Sequence, residues 1–176
     1  MSKNEIRSIK NFTSHELNNW IEEQKYSKFR GKQIFNWIYK KFVNSPNEML
    51  NVPKKLKNEI IKYGNFNLIE IVNPNTKIQN SSKKYLFKLS DGNYIESVVI
   101  LENKRKTVCL SSQVGCGLDC KFCQTAKMGF IRNLSVGEII DQLLFIKNDI
   151  NEEITNVVYM GMGEPLLNYD NVIKSA

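Results

Sequence analysis

A chain of 176 residues, 41% hydrophobic and 24% charged, is long enough for one ordinary domain or two small ones, and its composition excludes a wholly disordered protein. No run of about 18 apolar residues occurs, so no spanning helix and no membrane partner are expected. The opening MSKNEIRSIKNF lacks the apolar stretch of a secretory leader, which makes the cytoplasm the expected compartment. The net charge of +7 suits a polyanionic partner such as nucleic acid, although a composition simply rich in Lys, Asn and Ile gives the same excess.

Residues 12–64 read as helical. Thr13 and Glu16 have the spacing of a capping box, and Leu17, Trp20 and Ile21 then fall on one helical face. A second helix is predicted over about 30–43, burying Ile34, Trp37, Ile38 and Phe42, with Pro46 interrupting. Pro53 opens a third, with Leu56, Ile60 and Ile61 inward and Gly64 as a left-handed stop. Lys28, Arg30, Lys32, Lys40 and Lys41 crowd around the second helix and form a candidate RNA-facing surface; a solvated face over an apolar core is the plainer alternative.

After Asn65 the pattern changes to short strands, predicted over 66–72, 84–89 and 94–101, with a polar loop at 73–82 and an Asp91-Gly92 hairpin turn. A further strand at 106–111 leads into a cysteine cluster. Ser135 and Glu138 mark a second capping box, opening an amphipathic helix with Ile139, Ile140, Leu143, Leu144 and Ile146. An apolar strand at 154–160 follows and ends at Gly161. Strand, helix and strand make a βαβ unit with parallel pairing.

All four cysteines fall within residues 109–123. A disulfide framework would spread them apart, so clustering points to metal ligation or thiol chemistry. Cys116, Cys120 and Cys123 form C-x3-C-x2-C, three soft thiolates on one loop. Three such ligands hold three irons of a [4Fe-4S] cube and leave the fourth open to S-adenosylmethionine (SAM). Zinc is the competing reading, with Cys109 as a fourth thiolate. His15, the single histidine, stands in the first capping box and reads as a helix-start residue. Phe122 is placed to stack on an adenine, or else to fill a core. Downstream, Gly161-Met162-Gly163-Glu164-Pro165 ends a strand, where Gly163 and Glu164 are candidate binders of the SAM ammonium.

Two stretches, TVCLSSQVGCGLDCKFCQTAKMGFIRNL at 107–134 and YMGMGEPLLN at 159–168, closely resemble the RlmN family of radical SAM enzymes. These are dual-specificity methyltransferases acting on C2 of adenine in 23S ribosomal RNA and in transfer RNA. FRGKQIFNWIYKK at 29–41 resembles the family's accessory RNA-contacting domain. A sister group, the Cfr-type enzymes, methylates C8 of the same adenine, and the Gly163-Glu164-Pro165 and SSQVGC wording favours the RlmN side.

The resemblance implies an α/β fold: a small helical accessory domain, 1–64, then a β-strand connecting extension, 65–101, then the first part of a partial (β/α)6 barrel, 102–176. It further implies two SAM molecules, a methyl-cysteine intermediate near the C-terminus of the family, an electron donor such as flavodoxin, and a monomer. Cys109 matches the cysteine that resolves the RNA adduct, and Glu96 the glutamate regarded as proton acceptor. Glu96 on its own reads as a solvent-facing strand residue. The chain stops at Ala176, about half the family's usual extent, so a fragment that completes no methyl transfer alone is expected. A zinc-stabilised RNA-binding module without catalysis and an electron-transfer iron–sulfur protein are the alternatives.

Overall fold

Local chemistry starts the first helix where the sequence places it. The Thr13 hydroxyl accepts the Glu16 N–H at 3.2 Å, and Glu16 reaches back to the Thr13 N–H at 2.7 Å, so two orphan donors are satisfied at once. The structure, a computed structural model, describes residues 6–74 and 77–176, and the chain divides into two units, Met1–Leu68 and Ile69–Ala176. The leader reading of the first five residues, and positions 75 and 76 of the expected loop, lie outside the described residues.

The first unit holds α1 (Ser14–Glu23), α2 (Phe29–Tyr39) and α3 (Lys54–Tyr63). Leu17, Ile21, Ile34, Ile38, Met49, Leu56 and Ile60 are its buried centre. Four expectations need correction here. The second helix ends at Tyr39, not near 43, because the chain turns out at Phe42, whose φ is +52°. Trp37 and Phe42 are half-buried; Trp37 keeps its indole N–H at the surface, donating to Asn51 Oδ1 at 2.6 Å. Ile61 is 49% exposed, one position off the buried stripe of Leu56 and Ile60. Gly64 is no left-handed stop either, since its φ is 169°, which is extended backbone. It must be glycine because a Cβ there would overlap the Arg7 carbonyl.

The second unit is built on a five-stranded sheet, β1 (Ile69–Ile71), β2 (Ser82–Leu89), β3 (Tyr94–Glu102), β4 (Arg105–Cys109) and β7 (Asn156–Val158), in the order β1-β2-β3-β4-β7. The first four pair antiparallel. The Asp91-Gly92 turn joins β2 to β3 as expected, with Gly92 at φ +84° and the Asp91 carboxylate accepting the Asn93 N–H. β4 and β7 pair parallel, Cys109 opposite Val158, with α5 (Val136–Ile150) between them in sequence, the anticipated βαβ unit. Between β4 and α5 lie β5 (Gln113–Gly115), α4 (Gln124–Lys127) and β6 (Phe130–Asn133), and α6 (Tyr169–Ser175) follows β7. The strands β5 and β6 form a separate antiparallel pair that the sequence reading did not anticipate.

Alternation sorts the sheet into two faces. Tyr85, Phe87, Ile95, Val99 and Val108 join Ile139 and Ile146 of α5 in one apolar core. Leu86, Glu96, Val98, Ile100 and Cys109 occupy the opposite face and are only half-buried. Five fully buried branched or aromatic side chains on the core face contribute roughly 1.5–3 kcal/mol each, which fixes the register and hence which residues the other face presents.

Candidate functional site

The cysteine loop is held at its base. Gly115 has φ +71°, and a Cβ there would overlap the carbonyl of Gly129; that same carbonyl accepts the Cys116 N–H at 3.0 Å. β5 and β6 therefore meet at their closest where the loop leaves and returns. The loop carries Cys116, Cys120 and Cys123 as free, half-buried thiols. Its backbone closes on itself through Cys123 N–H to the Cys120 carbonyl at 3.0 Å, and the Cys116 sulfur accepts the Leu118 N–H at 3.5 Å. Cys123 immediately precedes α4, where the N–H of Ala126, with the N–H and hydroxyl of Thr125, holds its thiol below the ordinary value. Phe122 is 92% exposed, so it fills no core. Among the described residues no three Cys, His, Asp or Glu side chains converge on one point for a single metal ion. The fit to an iron–sulfur cube therefore rests on the donor set, three free soft thiols on one anchored loop. His15 lies in the first unit, exposed on α1, with its Nε2 3.2 Å from Asn19 Nδ2.

The glycine-rich segment after β7 is tied to the strand that feeds the cysteine loop. Met162 N–H donates to the Ser111 hydroxyl at 2.8 Å, and the Met162 carbonyl accepts from the N–H of Ser112 and Gln113 at 2.9 and 3.2 Å. Glu164 N–H donates to Gln113 Oε1 at 2.9 Å. Gly161 and Gly163 are small for the sake of this contact: a Cβ at Gly161 would lie 2.7 Å from the Ser111 nitrogen, and one at Gly163, where φ is +96°, would lie 2.5 Å from Gln113 Cβ. The N–H and carbonyl of half-buried Gly163 make no hydrogen bond among the described residues. They are thus open to a polar ligand group. The Glu164 carboxylate accepts the Leu166 N–H at 3.0 Å and so caps the following turn. Asn168, buried, closes the assembly by donating to the carbonyls of Ser112 and Leu134 at 2.7 and 2.8 Å.

Glu96 and Cys109 come to the same sheet face. Val98 is directly opposite Cys109, and Glu96 is two residues from Val98, hence on the same side. The Glu96 carboxylate faces Lys84 Nζ at 3.5 Å, and its main-chain carbonyl accepts the Ser111 hydroxyl at 2.5 Å. Burial pushes the Cys109 thiol up, so it remains protonated at neutral pH. Ser111 thus links the strand of Glu96 to the backbone of Met162 with one hydroxyl.

Sequence reasoning missed the residues that hold these pieces. Arg132, at the end of the cysteine hairpin, forms a bidentate pair with fully buried Glu138 at 2.9 and 2.8 Å and reaches Asp91 with Nε at 2.6 Å. Partial burial acts to raise the Asp91 carboxyl, but hydrogen bonds from Arg132 and Asn93 and the guanidinium charge outweigh it, leaving it at about 2. Gln142, buried on α5, accepts from Ser97 Oγ and the Ser111 N–H and donates to the Ser111 carbonyl. Glu138 was legible only as a capping residue. Arg132 and Gln142 were unremarkable polar residues beside apolar neighbours, and Gln113 was one member of a small, polar stretch with nothing local to single it out.

Comparison with known proteins accords with this arrangement. Residues 8–63 match the ribosomal RNA large subunit methyltransferase N-terminal domain, and residues 110–175 match the radical SAM superfamily. A protein of Dictyoglomus turgidum named "Probable dual-specificity RNA methyltransferase RlmN" is 46% identical over 97% of this chain and 49% of its own length. The dual-specificity RNA methyltransferase RlmN of Aliarcobacter butzleri is 43% identical over 99% of this chain and 52% of its own length. The crystal structure of a radical SAM methyltransferase from Sphaerobacter thermophilus superposes with a TM-score of 0.88 at 31% identity, covering 96% of this chain and 50% of that one. The chain therefore spans about half the length of the relatives it matches. No described helix is long and apolar enough to cross a membrane. The chain is thus similar along nearly its whole length to RlmN-type proteins of the radical SAM superfamily, its first part through their N-terminal domain and its last part through the superfamily's own pattern.

Proposed function

We propose that this chain is the RNA-contacting and cluster-binding part of an enzyme that methylates C2 of adenine in 23S rRNA and tRNA. The observation that supports it most is the anchored loop with three free thiols, Cys116, Cys120 and Cys123, tied through Gln113 to the open backbone of Gly163. When bound, a [4Fe-4S] cluster with SAM on its open iron supplies a carbon-centred radical by one-electron cleavage of the sulfonium. On this reading the division of labour follows the three stretches 1–64 for RNA, 65–101 for the Glu96 strand and 102–176 for the cofactors.

The chain's own residues have separable tasks in this proposal. Cys116, Cys120 and Cys123 ligate, and Cys123 is already biased toward thiolate by the N–H groups that face it. Gly163 offers a carbonyl and an N–H to the amino-acid end of SAM, and Phe122, with its ring exposed, is available to an adenine face. Glu96 accepts a proton at its carboxylate, next to the Lys84 ammonium. Cys109, protonated at rest, supplies a thiol on the same face. The electron comes from an external donor such as flavodoxin, and the protein works as a cytoplasmic monomer.

The test is anaerobic reconstitution with iron and sulfide. About four irons per chain and reductive release of 5′-deoxyadenosine from SAM are expected. Replacing Cys116, Cys120 or Cys123 by Ala abolishes both. Stoichiometric zinc without iron would sink the reading.

A further inference from the structure

Gln113 is 1% exposed, and both ends of its side-chain amide are engaged. Its Nε2 donates to Asn133 Oδ1 at 2.8 Å, on the strand that returns from the cysteine loop. Its Oε1 accepts the Glu164 N–H at 2.9 Å, in the glycine-rich segment that follows β7. Its own N–H donates to the Met162 carbonyl at 3.2 Å, and its Cβ is the atom against which Gly163 has no room for a side chain. Three residues along the chain from Gln113 stands Cys116. One buried residue therefore touches the exit of the cysteine loop and Glu164 through its side-chain amide, and Met162 through its main-chain N–H.

We propose that Gln113 is a positioning residue that sets Gly163 and Glu164 at a fixed distance from the cysteine loop, so that a ligand held by that backbone meets the loop's thiols in one geometry. An amide is suited to this, since it joins an acceptor on one strand to a donor on another. Methionine matches its length but supports neither bond. Gln113 itself is 1% exposed, so its amide depends on these protein partners rather than on water. Leu110, Ser111 and Ser112 on the same segment bond to this region through backbone or hydroxyl groups, and none of them reaches Asn133. Ser112 also bridges by its backbone, from Met162 to Leu134, but among the described residues only the Gln113 side chain joins Asn133 to Glu164. The inference rests on the SAM-binding reading above, and its test separates the two.

Amide hydrogen exchange on the unloaded chain needs neither metal nor SAM. The Glu164 N–H is expected to exchange at least about a hundredfold more slowly than that of Gly163, as a hydrogen-bonded donor beside one without a partner. Equal rates would overturn the proposal. Gln113→Met is expected to bring the Glu164 amide up to the Gly163 rate. In the reconstituted chain the same variant should keep its iron while SAM, titrated by calorimetry, binds about tenfold more weakly. Retained SAM affinity with iron retained would also overturn it. Should Gln113→Met fail to fold, the exchange rates of the unsubstituted chain still decide. If the unsubstituted chain takes up no iron, the cluster reading fails while the exchange comparison stands.

Discussion

At the level of single residues, the second unit is held by buried polar groups, each with a different accounting. Glu138 is fully enclosed, takes both Arg132 nitrogens and caps α5 through Ser135. Glu138→Ala leaves the guanidinium half-paired and the Ser135 N–H without its carboxylate partner, and is expected to cost about 3–5 kcal/mol in urea unfolding. Asp91 binds the same guanidinium from the hairpin turn. Its carboxyl falls from the ordinary 3.8 to about 2, so the stabilisation it adds is whole above pH 3.8 and disappears as pH falls toward 2. Asp91→Asn should flatten the pH dependence of the thermal midpoint in that window and leave it unchanged in slope near neutrality. Ser112 is the opposite case: its hydroxyl is buried with no partner among the described residues. Ser112→Ala removes an unmet polar group and is expected to leave stability equal or raise it by up to about 1 kcal/mol, which thermal melts would reveal.

At the level of elements, what was legible in the sequence follows from how local each cause is. Both capping boxes were readable because the partners are three residues apart, and both formed. The Asp91-Gly92 turn and the βαβ order were readable for the same reason. The β5–β6 pair was not, because its signal is two glycines, Gly115 and Gly129, that matter only once brought together. The three loop cysteines stood out by their spacing, whereas Gln113 and Arg132 act on partners far along the chain and carry no local pattern. Glu96 entered through family resemblance, and its placement beside Cys109 became visible only from the register of β3 against β4. The glycine contact is itself testable. Gly115→Ala imposes a side chain at φ +71° against the Gly129 carbonyl, so it should cost about 2–3 kcal/mol and break the Cys116 bond at the loop base. Iron incorporation should then fall while far-UV circular dichroism of α5 and the sheet persists; undiminished iron would show that the loop base does not matter.

At the level of the whole molecule, the two units differ in charge as well as in fold. The first carries the basic surface expected to meet RNA, and the structure sorts its members. Lys28 is paired with Glu22 at 3.2 Å, Arg30 donates to Gln33 and the Asn51 carbonyl, and Lys41 lies 4.6 Å over the Trp37 ring. Lys32 and Lys40 are exposed on or just beyond α2 and have no ion pair among the described residues. A lysine already engaged must break its contact to reach a phosphate, whereas a free one loses only counterions. If RNA meets this face, the free pair contributes most. Lys32→Glu with Lys40→Glu should weaken RNA binding and lower the slope of log affinity against log salt by about one to two, since each neutralised phosphate contributes about 0.7–0.9. The fold itself should not change, because neither side chain supports the core of Ile34, Ile38 and Leu56. Lys28→Ala should have the smaller effect, as its removal also frees Glu22. An unchanged slope in the double variant would mean that this face is a solvated surface over an apolar core, and that the RNA meets the protein elsewhere.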